Sequence, residues 1–340
     1  MLLRWGQLNS KRTAATSNSS RLVEQTDPPL REAGGWNHRA PLRLSRTDLP
    51  TACKVANRRY HPPSQVFLRA VPIAIAKMRL IIRENKQQTS LWVAEYIVHR
   101  INAFKPSKDR PFVLGLPTGS SPELVYANLV KFYKNGRVSF KHVVTFNMDE
   151  YVGIPTSHPQ SYHSFMFKHL FQHVDIPPSQ IHIPSLENYQ QYDDLIAKYG
   201  GIELFLCGVG SDGHIAFNEP GSSLSSKTRI KTLTKETIMA NARFFDGNIE
   251  AVPKSAITVG VKTVIDAREV VLIADGRGKA EAVRQALEGS ISHMWTVTAL
   301  QMHPKFVMAV DEAATEELRV KTVKYFKEIE GDQDKPKAKL

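Results

Sequence analysis

From Met78 onward the chain repeats one pattern, in which a short run of aliphatic and β-branched residues precedes a longer stretch with apolar residues at helical spacing. Parallel strands satisfy that alternation: each needs a long return connection, and each returning helix has one apolar stripe to bury against the sheet. The runs Arg79–Ile82, Phe112–Leu116, His142–Phe146, Ile202–Leu206, Ala256–Val261, Val270–Ala274 and Phe306–Val310 predict seven strands. Leu91–Phe104, Pro122–Lys134, Gln190–Tyr199 and Lys279–Leu287 predict helices between them. The expected fold class is α/β, a single doubly wound domain over residues 78–327, Rossmann-like, with a mostly parallel sheet.

Residues 1–77 do not follow this pattern. They are rich in Arg, Ser, Thr and Pro, and Asp27-Pro28-Pro29, Gly34-Gly35 and His61-Pro62-Pro63 interrupt them. The segment is expected to be a disordered basic extension, with Met78 as an alternative start. Its Arg- and Ser-rich character also fits a mitochondrial leader, against which Glu24, Asp27, Glu32 and Asp48 argue. Residues 328–340 are expected to form a charged, flexible tail.

The formal charge of +12 would suggest a nucleic-acid partner if it were spread evenly. It is not. Residues 1–77 hold 13 Lys and Arg against 4 Asp and Glu, a net +9, leaving 32 against 29, or +3, for the rest. Nucleic acid is therefore not the expected partner of the folded body. No uncharged apolar run approaches the ~18 residues of a membrane-spanning helix. Cys53 and Cys207 form neither a disulfide framework nor a metal-binding pair, so a reducing, cytoplasmic compartment is expected.

In a doubly wound sheet, ligands bind beyond the carboxyl ends of the strands, and four of the loops there are unusual. Leu116-Pro-Thr118-Gly119-Ser120-Ser121-Pro122 has Ser121 as expected helix cap and Pro122 in the first turn. Small residues before a helix suit a phosphate, and they equally suit an ordinary capped turn. In Asn147-Met-Asp149-Glu150-Tyr151 only one of two adjacent carboxylates can face a cleft. Beside Phe146 and Met148 it would have the raised pKa of a base able to take a carbon-bound proton, or else it is a loop solvator.

The third loop, Gly208 to Gly221, matches a dinucleotide fingerprint at Gly208, Gly210 and Gly213, but Pro220-Gly221 prevents the helix such a site requires. It leaves His214 with a carboxylate available on either side, Asp212 and Glu219, which suits proton transfer near neutral pH. The spacing matches no metal motif. In Asp275-Gly-Arg-Gly-Lys279, Lys279 could close over a phosphate, as could Arg243, which precedes Phe244 and Phe245. An anion cradle, a carboxylate and a His–carboxylate pair, with no Ser or Cys nucleophile beside a base, fit acid–base chemistry on a sugar phosphate.

The segments LGLPTGSSP, TFNMDEYVG, SYHSFM, GVGSDGHIAFNEPGSSL, TRIKTL, ANARFFDG, SHMWT and VKTVKYF, from Met78 to about Phe326, resemble the glucosamine-6-phosphate deaminase family. The resemblance implies conversion of glucosamine 6-phosphate and water to fructose 6-phosphate and ammonia, without a cofactor. It implies that Asp149 moves a proton between C2 and C1, and that His214 shuttles a proton in ring opening while Asp212 and Glu219 orient it. Thr118, Gly119, Ser120, Ser121, Arg243 and Lys279 would hold the phosphate. It further implies a homo-hexamer activated by N-acetylglucosamine 6-phosphate, bound by Ser222, Arg229, Lys231, Thr232 and Tyr325. The segment from Pro184 to Gly201 is shorter than the family usually has. Lys262 stands where the family commonly carries glycine, so strain is expected if that position has a positive φ. A 6-phosphogluconolactonase on the same scaffold, or a catalytically silent sugar-phosphate sensor, are the rival readings.

Overall fold

The computed structural model describes residues 78–333, so the leader expected over residues 1–77 and the residues beyond Gln333 lie outside the described residues. The described residues open with β1 (Arg79–Arg83), α1 (Lys86–Phe104), β2 (Phe112–Leu116), α2 (Glu123–Lys134) and β3 (Val143–Asn147). After one pivot residue come β4 (Asp149–Tyr151), α3 (Tyr162–His169), β5 (Ile181–His182), α4 (Tyr192–Lys198) and β6 (Leu204–Cys207). Next are β7 (Arg229–Thr232), α5 (Lys235–Ala242), β8 (Ser255–Thr258), α6 (Val261–Ile265) and β9 (Val270–Ala274). The last elements are α7 (Ala280–Glu288), β10 (Phe306–Asp311) and α8 (Val320–Gln333).

Seven strands form one sheet in the order β1-β10-β9-β6-β2-β3-β5, and every pairing in it is parallel. From β2 the chain winds one way, to β3 and β5; from β6 it winds the other, to β9 and β10. The winding therefore reverses between the neighbours β2 and β6, where the loops leaving their carboxyl ends diverge and open a crevice. The β2–β6 contact is close because β2 carries a glycine. A Cβ on Gly115 would lie 2.2 Å from the Phe205 ring. Central strands are buried on both faces, by one apolar cluster that includes Phe146, Phe205 and Val283 and another that includes Leu114, Tyr126 and Ile97.

The expected class is present, with one strand exchanged. The run Ala256–Val261 does hold a strand, β8, but it pairs antiparallel with β4 and β7 in a second, three-stranded sheet. The seventh parallel strand is β5, whose two residues are too short for any periodicity to register. Helix α1 begins at Lys86, earlier than the apolar spacing predicts, because Asn85 caps it through Gln88 N and its first turn is polar. Ser121 is not the cap of α2: Pro122 occupies that position and no side chain caps the helix. Of the charged tail expected over residues 328–340, the part up to Gln333 belongs to α8, where Glu330 is buried in a bidentate pair with Arg79 at 2.7 and 3.0 Å.

Gly115→Ala should lower stability by about 1–3 kcal/mol, because the added methyl overlaps a ring held between two central strands. A denaturant midpoint indistinguishable from wild type would show that Phe205 moves aside freely.

Candidate active site

The loops after β2, β3, β6 and β9 line one cavity of about 940 Å³, together with α5 and the residues around it. Thr118, Gly119, Ser120, Ser121, Asp149, Asp212, His214, Arg243 and Lys279 all border it, so nine of the ten expected catalytic and phosphate residues meet there. Glu219 does not line it.

The anion cradle follows from backbone geometry. Gly119 adopts φ +106°, a conformation that favours glycine, and turns the chain toward α2. The backbone N–H groups of Gly119, Ser120 and Ser121 have no acceptor among the described residues, and they precede the positive end of a 12-residue helix. Across the cavity, Gly276 at φ +81° begins the turn that carries Lys279. Asp311 fixes this turn, its carboxylate accepting from Gly276 N at 2.9 Å and from Ala314 N at 3.0 Å. Burial pushes the Lys279 ammonium below its ordinary pKa, and the Asp275 carboxylate opposes that shift. Arg243 ends α5 with its guanidinium 4.7 Å from the centre of the Phe244 ring.

Asp149 sits where one sheet hands the chain to the other. Met148 N bonds to Leu116 O in the first sheet, Val259 N bonds to Met148 O, and Asp149 then pairs with Thr258 in the second. The carboxylate is thereby carried over the end of the sheet into a site walled by Tyr151, Tyr162 and Phe217. Burial, reinforced by the neighbouring Glu150 charge, raises its pKa to about 8. Glu150 points elsewhere, as two consecutive strand residues must. It accepts from Tyr151 N, Tyr162 N and His163 N at 2.9 Å each, so it joins β4 to the first turn of α3.

The loop after β6 coils on itself through Gly210 N to His214 O and Gly213 N to Gly210 O, and the next regular element is a strand rather than a dinucleotide-binding helix. The coil sets His214 Nδ1 2.7 Å from Asp212 Oδ1. Burial would raise the Asp212 carboxyl, but the hydrogen bond and charge of His214 outweigh it and hold the group below its ordinary pKa. Only glycine fits beneath the pair: a Cβ on Gly210 would lie 2.4 Å from His214 Cε1 and 2.5 Å from Asp212 Oδ1. Trp295 packs as closely on Gly213, and Thr296 accepts from Ile215 N through its hydroxyl and donates to Asn218 O. SHMWT is thus the outer brace of this loop.

Glu219 departs from its expected role. Its buried carboxylate accepts from Thr234 N and the Thr234 hydroxyl, at 3.0 and 3.2 Å, and not from His214. Thr234 caps α5, so Glu219 ties the histidine loop to the helix that carries Arg243. Of the expected activator residues, Arg229, Lys231 and Thr232 lie on β7, and Ser222 is buried in the turn that follows Glu219. Tyr325 stands apart on α8, exposed, with its ring against Phe326.

Residues 84–308 match the family described as glucosamine-6-phosphate isomerases/6-phosphogluconolactonase. The chain belongs to this family. Over 259 residues it is 58% identical to a glucosamine-6-phosphate deaminase of Treponema denticola, covering 74% of this chain and 96% of that one. A solved structure of a monomeric glucosamine-6-phosphate deaminase aligns with a TM-score of 0.67 at 36% identity, covering 71% of this chain and 100% of that one. The 6-phosphogluconolactonase of Trypanosoma brucei, at 19% identity and a TM-score of 0.57, has the same fold.

Two departures from the family pattern resolve in the structure. Lys262 lies inside α6 and not at a positive φ, so the expected strain is absent; its Nζ pairs with Asp266 at 2.7 Å. The shortened stretch before β6 is tied down by Asp193, which accepts from Thr228 N and from the Thr263 hydroxyl. Sequence reasoning missed Asp311 and Asp193, whose partners Gly276, Thr228 and Thr263 lie 35 residues or more away along the chain. It also missed Trp295 and Thr296 as braces, although the motif containing them was visible.

A carboxyl whose folded-state pKa is raised from 3.8 to about 8 contributes stability that is full below the lower value and is lost as pH rises through the higher. Asp149→Asn should therefore melt above wild type at pH 9, by roughly 5–10 °C, with the gap shrinking at pH 5. A gap that does not change with pH would remove the ionisation cost assigned to this residue.

Proposed function

We propose that the protein is a glucosamine-6-phosphate deaminase, releasing ammonia and fructose 6-phosphate from glucosamine 6-phosphate and water. The observation that carries this reading is the convergence of an anion cradle, a buried carboxyl and a His–Asp pair on one cavity of sugar-phosphate size. Identity of 58% to the Treponema enzyme supports the same substrate.

In this reading the free N–H groups of Gly119, Ser120 and Ser121, with the Thr118 hydroxyl, Lys279 and Arg243, hold the phosphate and place C1 and C2 at the opposite wall. His214, kept in orientation by Asp212, takes the proton of the C1 hydroxyl and gives one to the ring oxygen, opening the ring. Ionised Asp149 then takes the C2 proton while a proton of the substrate's ammonium passes to O1, leaving an enolamine, and Asp149 returns its proton to C1, which makes the C2 carbon an iminium. Water adds at C2, the amine leaves as ammonia and the 2-ketose remains. A desolvated carboxyl suits the transfer, because a pKa near the working pH lets one group both accept and donate the proton. Substrate bound as an ammonium brings that raised pKa back down and favours the ionised base.

The same reading begins the catalytic unit at Met78 and places the enzyme in the cytoplasm; among the described residues no helix is long and apolar enough to cross a membrane. It also carries a hexamer activated by N-acetylglucosamine 6-phosphate through Ser222, Arg229, Lys231, Thr232 and Tyr325. One solved relative is a monomer, so the mass of the native particle and the shape of the substrate curve decide this point.

The test is ammonia release from glucosamine 6-phosphate, with and without activator, by the full chain and by a chain beginning at Met78. No product from folded protein at saturating substrate and activator would end the proposal. Asp149→Asn should lower turnover by ~10² or more with substrate binding largely retained, and an unchanged rate would remove Asp149 from proton transfer. Wild-type kcat/KM should fall as pH drops below about 8, where free Asp149 takes up its proton.

A further inference from the structure

We propose that Lys86 is a positioning residue for the phosphate, pinning the Ser120 carbonyl and neutralising Asp275 so that the loops after β2 and β9 accept one dianion between them. This deepens the deaminase reading and rests on it for the identity of the anion.

Lys86 is the first residue of α1, where a cation opposes the helix dipole and no acidic residue of the first turn compensates it. The helix therefore does not explain the residue. Its side chain instead reaches both phosphate loops: Nζ donates to Ser120 O at 3.0 Å and lies 3.0 Å from Asp275 Oδ2. Lys86 is not itself among the residues lining the cavity, whereas Ser120, Ser121, Asp275 and Lys279 are.

Two physical consequences follow. A trans peptide points its C=O and the next N–H in opposite directions, so holding Ser120 O toward Lys86 aims the Ser121 N–H away from it, toward the cavity that Ser121 lines. The second consequence is electrostatic. Asp275 brings a mostly buried carboxylate to the wall of a site that must take an anion, and its Oδ1 has no hydrogen-bond partner among the described residues. Left alone, that charge would repel a phosphate and draw Lys279 toward itself. With Lys86 paired to it, Asp275, whose charge also acts on Lys279, is outnumbered by two cations.

The experiment measures the dissociation constant of inorganic phosphate by calorimetry, and KM and kcat for glucosamine 6-phosphate, in wild type, K86M, D275N, K86M/D275N and K86R. K86M should weaken phosphate about tenfold and raise KM similarly while kcat changes less than about twofold, the size expected for losing a charged hydrogen bond in the bound state. D275N should bind phosphate as well as wild type or a few-fold more tightly. The double variant should recover part of the K86M loss, because no carboxylate then remains to be neutralised while the Ser120 carbonyl stays unpinned. K86R should stay within about threefold of wild type, and it decides the matter with D275N should K86M fail to fold. Equal phosphate affinity in wild type and K86M, additive effects in the double variant, weakened binding in D275N, or a fall in kcat at unchanged KM would each overturn the assignment. Absence of ammonia release by wild type would instead sink the deaminase reading, and the phosphate constants would still judge Lys86.

Discussion

The reversal of winding between β2 and β6 is the constraint on which the rest of the molecule depends. Parallel strands need returning helices, and a sheet built in two directions from its middle must leave two neighbouring strands whose loops go opposite ways. At that gap the backbone N–H groups of Gly119, Ser120 and Ser121 stand free among the described residues, beside the cavity. The gap requires β2 and β6 to lie close, so a glycine at position 115 with a phenylalanine at 205 is part of the site's construction, although neither residue borders the cavity.

Asp149 and Asp212 show how surroundings separate groups of the same chemistry. Asp149 is carried off the end of the parallel sheet into an aromatic enclosure, where burial and the charge of Glu150 favour its protonated form. Asp212 lies in a more open loop against an imidazole, which holds it ionised. One is prepared to exchange a proton and the other to keep its charge and orient a partner. The small antiparallel sheet is what makes this division possible: without the pairing of β4 to β8, the strand carrying Asp149 would continue in the plane of the large sheet.

Three buried carboxylates act as ties between segments apart in sequence. Glu150 joins β4 to α3, Glu219 joins the histidine loop to α5, and Asp311 holds the turn that presents Lys279. Each accepts from backbone N–H groups at the start of a helix or a tight turn, where a carboxylate meets donors that have no other partner. The motifs that looked like clusters of active groups are therefore partly structural. Glu219 is the clearest case, a residue placed beside His214 by sequence and turned toward Thr234 by the fold.

What the chain's order of residues determined by itself is what repeats or is local: six of the seven parallel strands, the α/β class, and the loop types that present Asp149, His214 and the anion cradle. Those rest on side-chain period and on turn chemistry, which act over a few residues. The tertiary structure alone decided which carboxylate faces the cavity, that the 256–261 run leaves the main sheet, that α8 extends to Gln333 and that Lys86 joins two loops. Each of those outcomes depends on a partner brought close only by folding: Thr258 for Asp149, Arg79 for Glu330, and Asp275 for Lys86 across 189 positions of chain. No local pattern encodes such a distance, because the energy that selects it comes from burial and charge pairing between segments that meet only when the sheet has closed over its core.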